Sequence, residues 1–178
     1  DAKRYDLHTK VMDSNKHAPC NKIADDFIIG DITNYDDVIN FGNSVDLITV
    51  EIENVNTDAL EFLEKSGKKV YPSPKNLRII QNKSDQKNFY SKNNLPTSRF
   101  KNYLNVEELK RNFLNDNFEF PFVWKSSRFG YDGKGVKIIK NIEDLDFSYE
   151  HQCLIEEKVS IKKELSVIVS RNNDGEIK

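Results

Sequence analysis

The sequence is poor in the residues that mark several common classes of protein. It has only two cysteines and three histidines in 178 residues, and none stands in a Cys-x-x-Cys pair or at zinc-ligand spacing, so we expect no structural zinc. Cys20 and Cys153 lie far apart, and we expect two reduced thiols in a cytoplasmic protein. No apolar run approaches the roughly 18 residues of a membrane span, and the opening DAKRYDLHTK lacks the apolar stretch of a signal peptide.

The composition also excludes a strongly basic or disordered chain. Hydrophobic residues make up 37% and charged residues 31%, with a net charge of −2. This balance indicates a soluble globular protein with one core or two small ones, and it argues against a general nucleic-acid binder. The chain begins without Met and stops just after the turn signal at 172–175, so we expect it to be part of a longer protein.

Strand and helix signals alternate over the first 73 residues. Thr33 or Asn34 is expected to cap one helix, and Thr57 a second that runs to Lys65. The predicted strands are Leu7–Met12, Phe27–Ile29, Val45–Ile52 and Val70–Tyr71. Val45–Ile52 is β-branched and largely apolar, which predicts a strand buried on both faces. The alternation predicts a parallel α/β sheet over residues 1–73.

The pattern changes at Ser73-Pro74, which predicts the capped start of a helix that runs to Ile80. A second helix is expected over Asp85–Lys92, and Asn105 with Glu108 predicts the capped start of a third. The remaining segments indicate antiparallel strands: Phe122–Lys125, Val136–Ile139, Leu154–Val159 and Glu164–Arg171. Residues 74–178 therefore read as an α+β domain with an antiparallel sheet.

The segment KSSRFGYDGKGVKII, residues 125–139, holds three of the seven glycines within six residues. It is not a P-loop, because Gly133-Lys134 is followed by Gly135 where Ser or Thr is required. It is not a Rossmann fingerprint either, because a strand follows the glycines and not a helix. A glycine-rich hairpin can fold over polyphosphate, with backbone N–H groups facing the oxygens. An ordinary long hairpin is the alternative.

Charged residues near this loop favour a nucleotide. Lys125 ends the strand before the loop, where its ammonium can meet the α- and β-phosphates. Farther along, Glu156 follows an apolar run and Glu164 begins another predicted strand, so their carboxylates can accept from ribose hydroxyls while nearby backbone groups meet adenine. Each Glu alone would more often be a solvated surface residue. Together, in this order, they indicate ATP.

These motifs resemble the ATP-grasp enzymes. The segments that carry the resemblance are Lys125 with RFGYDGKG, then EEKV, ELSVIV, the upstream DLITVEIENV, VYPSP, QNK and LPT. Within that superfamily they resemble the 5-(carboxyamino)imidazole ribonucleotide synthases. The resemblance implies a Rossmann-like pre-ATP-grasp domain over residues 1–73, without its first strand, and an incomplete ATP-grasp domain over residues 74–178.

The resemblance assigns roles to residues of this sequence. Those implied to bind ATP are Lys83, Lys125, Gly130, Tyr131, Asp132, Gly133, Lys134, Gly135, Val136, Glu156, Glu157, Lys158, Val159 and Glu164. Those implied to act on carboxyphosphate or the aminoimidazole ribonucleotide are Glu51, Glu53, Tyr131, Asp132 and Lys134. The family more often has Arg where this chain has Lys83. No residue here is implied as a metal ligand, because the family's Mg²⁺ ligands lie farther along.

The implied activity is ligation. ATP phosphorylates bicarbonate, and the carboxyl group passes to the amine of 5-aminoimidazole ribonucleotide in purine synthesis. ATP and Mg²⁺ are the implied cofactors and small molecules the implied partners, with a homodimer possible, no nucleic acid and no membrane. This part of the chain alone is expected to be inactive. Another ATP-grasp ligase, such as a glycinamide ribonucleotide transformylase or a biotin carboxylase, and a non-catalytic ATP-binding module remain alternatives.

Overall fold

The N-terminal part is built from two pairs of parallel strands. The computed structural model describes residues 2–128, 135–145, 147–172 and 174–178. The paired strands are β1 (Lys10–Asp13) with β2 (Asp26–Ile29), and β3 (Leu47–Thr49) with β4 (Lys69–Tyr71). Helix α1 (Tyr35–Asn43) separates β2 from β3, and α2 (Thr57–Lys65) separates β3 from β4. The predicted parallel α/β arrangement is confirmed.

Local capping explains where the first two helices begin and end. The side chain of Asn34 accepts from the Asp37 N–H and begins α1. Asn56 accepts from the Ala59 N–H, so the predicted cap at Thr57 was wrong by one residue. Gly67 ends α2 at φ +93°, a backbone conformation that glycine adopts without strain.

The predicted strand at Val45–Ile52 was wrong in its length and in its burial. Regular pairing covers only β3, where Ile48 is 4% exposed and Leu47 is 50% exposed. Successive strand side chains point to opposite faces, and only the face of Ile48 packs into the first core cluster. That cluster consists of Val38, Ile48, Val55, Ala59, Leu60, Leu63, Val70 and Leu77. The bounds predicted for the first strand, Leu7–Met12, were also wrong, because β1 begins at Lys10 and ends at Asp13.

Three further helices follow: α3 (Pro74–Gln81), α4 (Lys83–Lys92) and α5 (Val106–Asn112). Ser73 caps α3 as predicted. The prediction that the next helix begins at Asp85 was wrong, because the Asn82 side chain accepts from the N–H groups of Ser84 and Asp85 and so begins α4 at Lys83. In the described part of the chain, no helix has the length and apolar character to cross a membrane.

Helix α3 joins the first core. Leu77 belongs to that cluster, and the Arg78 guanidinium donates to Asp58 and Glu61 of α2, both at 2.6 Å. The helix therefore packs on the N-terminal part. A domain boundary at residue 73 stays a prediction.

The second half contains an antiparallel sheet, as predicted. Its strands are β5 (Phe100–Tyr103), β6 (Phe122–Ser126), β7 (Val136–Ile139) and β8 (Cys153–Glu157), in the order β5-β8-β6-β7. In the described residues its fourth strand is therefore β5 and not the predicted Glu164–Arg171. One face packs into the second core cluster, which consists of Tyr103, Val106, Leu109, Phe113, Phe122, Trp124, Ile139, Leu145, Cys153 and Ile155. Lys125 and Glu156 alternate with these residues and lie on the other face, next to α4.

The predicted strand Glu164–Arg171 does not form. In the described residues only an isolated bridge joins Arg171 to Ile177, and backbone bonds join Ser170 to Lys178. A strand needs a neighbour for its backbone groups, and the described residues offer none to 164–169. The preceding prediction, Leu154–Val159, was too long, because β8 ends at Glu157.

Candidate nucleotide site

The carboxylate of Glu156 is the centre of a buried ionic cluster on the α4 side of the sheet. Its Oε1 lies 2.9 Å from the Lys125 Nζ, and its Oε2 lies 3.0 Å from the Lys87 Nζ. The Ser98 hydroxyl donates to the same Oε2 at 2.7 Å. The side chains of Lys87 and Glu156 are only 11% and 9% exposed.

These partners determine the ionisation of Glu156. Burial by itself would raise its pKa, but the hydrogen bonds from Lys125, Ser98 and Lys87 together outweigh burial and hold the pKa below its ordinary value. Glu156 is therefore a carboxylate at neutral pH. With two lysines around one carboxylate, the cluster carries a net positive charge.

A third lysine, Lys83, lies near Lys125 because the start of α4 is tied to the end of β6. The backbone N–H of Lys83 donates to the Ser127 carbonyl at 2.8 Å, and the hydroxyls of Ser84 and Ser127 lie 2.6 Å apart. Burial and the positive charge of Lys125 lower the pKa of the Lys83 amine, and the carboxylate of Glu53 acts in the opposite direction. A region with two lysine charges suits a polyphosphate.

Glu53 reaches this region from the N-terminal part. The Gln81 side chain donates to the backbone carbonyls of Glu53 and Val55, at 2.6 and 2.7 Å, and so ties the segment after β3 to the end of α3. The structure thus brings together four predicted site residues, Lys83, Lys125, Glu156 and Glu53. Glu51 is exposed and makes no hydrogen bond or ion pair with any described residue.

The glycine-rich segment is described only at its edges. Gly135 has φ +72°, and its carbonyl accepts from the Ser126 N–H at 2.8 Å, which closes the base of the hairpin. Val136 follows it as the first residue of β7 and is 38% exposed. The predicted site residues Gly130, Tyr131, Asp132, Gly133 and Lys134 lie outside the described residues.

The predicted adenine and ribose residues are not gathered into one cluster. Glu156 is buried, whereas Glu157, Lys158 and Val159 are exposed at and beyond the end of β8. Glu164 is exposed in the irregular segment and makes no hydrogen bond or ion pair with a described residue. The contacts of these residues with adenine and ribose stay predictions.

The sequence interpretation missed Lys87, Thr97 and Ser98. The Lys87 ammonium donates to the Thr97 and Ser98 hydroxyls at 2.6 and 2.8 Å, in addition to its ion pair with Glu156. One signal was available, because Lys87 lies four residues after Lys83 and a helix places such residues on one face.

The described residues do not fit a magnesium site. Among them, no three or more His, Cys, Asp or Glu side chains are grouped so that they could hold a metal ion. The carboxylate of Glu156 is already engaged with two lysines and a hydroxyl. We therefore derive no chemical step through Mg²⁺.

Comparison with known proteins places the chain in a family. The model of the ribonucleotide synthetase preATP-grasp domain matches residues 1–81, and the model of the ATP-grasp domain matches residues 88–178. The chain belongs to the ATP-grasp family.

Within that family, the chain is similar to the N5-carboxyaminoimidazole ribonucleotide synthases, as the sequence predicted. The synthase of Saccharolobus solfataricus is 34% identical over 98% of this chain and 47% of its own length. The crystal structure of the synthetase from Thermotoga maritima is 34% identical with a TM-score of 0.84, over 99% of this chain and 46% of that one. A structure from Aspergillus clavatus in complex with ADP and 5-aminoimidazole ribonucleotide is 26% identical with a TM-score of 0.83, over 99% and 46%. The chain spans about half the length of these relatives or less.

Proposed function

We propose that the protein that contains this chain carboxylates 5-aminoimidazole ribonucleotide, with bicarbonate and ATP, in purine synthesis. The observation that supports this most directly is the position of Lys125, whose partly exposed ammonium is fixed to Glu156 beside Lys83 and Glu53. The ADP and ribonucleotide named for the Aspergillus clavatus relative support the same substrates. We propose a cytoplasmic enzyme, since both cysteines are free thiols.

The proposed reaction has two balanced steps. A bicarbonate oxygen attacks the γ-phosphorus of ATP, the bond to the ADP oxygen breaks, and carboxyphosphate forms. The exocyclic amine of the ribonucleotide then attacks the carboxyl carbon, the carbon–oxygen bond to phosphate breaks, and the amine loses a proton. The products are 5-(carboxyamino)imidazole ribonucleotide, ADP and phosphate. The protein must neutralise phosphate charge and exclude water from carboxyphosphate.

Each predicted site residue has a proposed part in this scheme. Lys125 and Lys83 would attract the phosphates, and the backbone N–H groups of residues 130–136 would bind them as well. The carboxylate of Glu156 is engaged with lysines, so adenine would meet backbone groups of residues 157–159. Glu164 would accept from the ribose hydroxyls. The residues proposed for carboxyphosphate and the ribonucleotide are Glu51, Glu53, Tyr131, Asp132 and Lys134.

Lys125→Ala tests the nucleotide part of the proposal. A hydrogen bond to a charged group contributes about 1.5–3 kcal/mol, so ATP affinity should fall roughly ten- to hundredfold. Isothermal titration calorimetry of the full protein measures it. The matched control is Lys140→Ala, which removes an exposed lysine just after β7. Equal affinities for the two variants would refute the assignment of Lys125.

ADP release by the full protein in bicarbonate buffer tests the reaction. We expect release to depend on added 5-aminoimidazole ribonucleotide. ADP release that does not depend on the ribonucleotide would indicate another ATP-grasp ligase. ATP binding without ADP release would indicate a non-catalytic module. The homodimer implied by the family is a separate proposal. The molar mass of the full protein, measured by light scattering after size-exclusion chromatography, tests it.

A further inference from the structure

Lys87 is a buried lysine that the proposed function does not use. It lies in α4, four residues after Lys83, and its side chain is 11% exposed. Its ammonium has three N–H donors and meets three acceptors: Thr97 Oγ1 at 2.6 Å, Ser98 Oγ at 2.8 Å and Glu156 Oε2 at 3.0 Å. An ammonium with all three donors engaged cannot also bind a ligand.

Lys125 differs from Lys87 both in the exposure of its side chain and in the number of partners of its ammonium. Its side chain is 27% exposed, and within the described residues its only ion pair or hydrogen bond is the one to Glu156 Oε1, at 2.9 Å. Two of its three N–H donors therefore have no partner in the described part of the chain. Of the two lysines on Glu156, Lys125 is the one that can reach a phosphate.

The charges of the cluster explain why two lysines are present. Without Lys87, one carboxylate and one ammonium would cancel, and Lys125 would be attracted by both carboxylate oxygens. With Lys87 on Oε2, the carboxylate is held from one side and Lys125 is bound by Oε1 alone. The cluster keeps one net positive charge for an anionic ligand.

We propose that Lys87 is a positioning residue of the nucleotide site: it holds Glu156 so that Lys125 directs its ammonium at the phosphates of the nucleotide. The hydroxyls of Thr97 and Ser98 complete the support by fixing the Lys87 ammonium. This inference rests on the proposed function of Lys125 as an ATP contact. Its distinguishing consequence is that most of the effect of Lys87 on ATP binding passes through Lys125.

A double-mutant cycle on the full protein tests this consequence. Lys87→Met keeps most of the aliphatic stem and removes the charge, and we expect about tenfold weaker ATP binding by calorimetry, a size typical of residues in one salt-bridge network. In a Lys125→Ala background, the same substitution should weaken binding by a clearly smaller factor, because only the lost positive charge of Lys87 then acts on the phosphates. Lys92→Met, an exposed lysine of the same helix, is the control and should bind ATP like the parent.

The outcomes separate this inference from the proposed function. If Lys125→Ala leaves ATP binding unchanged, the assignment of Lys125 fails and the inference falls with it. If Lys125→Ala weakens ATP binding but Lys87→Met costs the same in both backgrounds, Lys87 is merely structural and the inference alone is overturned.

Ser98→Ala provides a milder variant in case Lys87→Met does not fold. It removes the hydroxyl that contacts both Lys87 and Glu156 Oε2. We expect about threefold weaker ATP binding in the parent background and no change with Lys125→Ala. Lys87→Arg keeps the charge and should recover part of the affinity lost in Lys87→Met. Equal effects of Ser98→Ala in both backgrounds would overturn the proposal.

Discussion

Replacement of Glu156 by Ala should strongly destabilise the protein, because it leaves buried positive charge without a partner. Lys87 would keep its position at 11% exposure with only two hydroxyls for its ammonium. Breaking a buried ion pair from one side lowers the free energy of unfolding by about 3–5 kcal/mol. Lys125 is less buried and can turn its ammonium to solvent, so loss of its pair with Glu156 should add little to the destabilisation.

Urea unfolding followed by circular dichroism measures the effect on the full protein. The control is Glu107→Ala, which breaks an exposed pair, since Glu107 is 68% exposed and lies 3.2 Å from the Lys110 Nζ. Exposed pairs contribute about 1 kcal/mol or less, so this variant should stay close to the parent. A loss below about 1 kcal/mol for Glu156→Ala would refute the argument from burial.

The same cluster gives the stability a defined pH dependence. The folded pKa of Glu156 lies below its ordinary value, so its contribution is fully present above the unfolded pKa. The contribution is lost as the pH falls through the folded pKa. The difference in unfolding free energy between the parent and Glu156→Gln should therefore be largest at neutral pH and shrink on acidification. A difference that stays constant from neutral to acidic pH would contradict the assigned ionisation.

The remaining predictions concern the thiols and the packing of α1. Iodoacetamide should label Cys20 in the native protein but reach Cys153 only after unfolding, because burial raises the pKa of the Cys153 thiol to about 11; native labelling of Cys153 in peptide maps would refute this. Gly42→Ala should lower the unfolding free energy by about 1–3 kcal/mol, although Ala is the better helix former, since a Cβ there would clash with Leu63 Cδ1. Leu63→Ala in the same chain should relieve that clash, so the two substitutions together should lower the unfolding free energy by less than the sum of their separate effects. Additive effects in urea unfolding would contradict this prediction.

Much of the fold could be predicted because its signals are local. Ser73 followed by Pro74 begins α3, and Asn105 accepts from the Glu108 N–H at the start of α5, as their spacing indicates. The change from parallel to antiparallel strands also follows from connection length and hydrophobic pattern. Lys83 and Lys125, the lysines proposed to bind the nucleotide, could be selected from the sequence because motifs surround them.

The wrong predictions concern properties that depend on distant partners. Leu47 looked like a core residue, but its burial depends on which layers cover β3, and the apolar pattern does not contain that information. Glu164–Arg171 has the composition of a strand, yet pairing requires a neighbour that local sequence cannot supply. Lys87 looked like any solvated lysine of a helix, and only its contacts with Ser98 and Glu156 show that it is buried.

The two faces of the antiparallel sheet differ in polarity along β8. The strand should therefore not tolerate an insertion or deletion that shifts its register, but it should tolerate substitutions that keep the polarity of each face. Ile155 packs among aromatic side chains, and its neighbour Glu156 carries the lysine pair on the other side. Deleting one residue before Ile155 would exchange the faces and place a carboxylate beside Trp124. Apolar replacements at Ile155, in contrast, can vary the packing while the charges stay in place. Natural variation along this strand should therefore consist of substitutions that keep the alternation, and insertions or deletions should fall outside it.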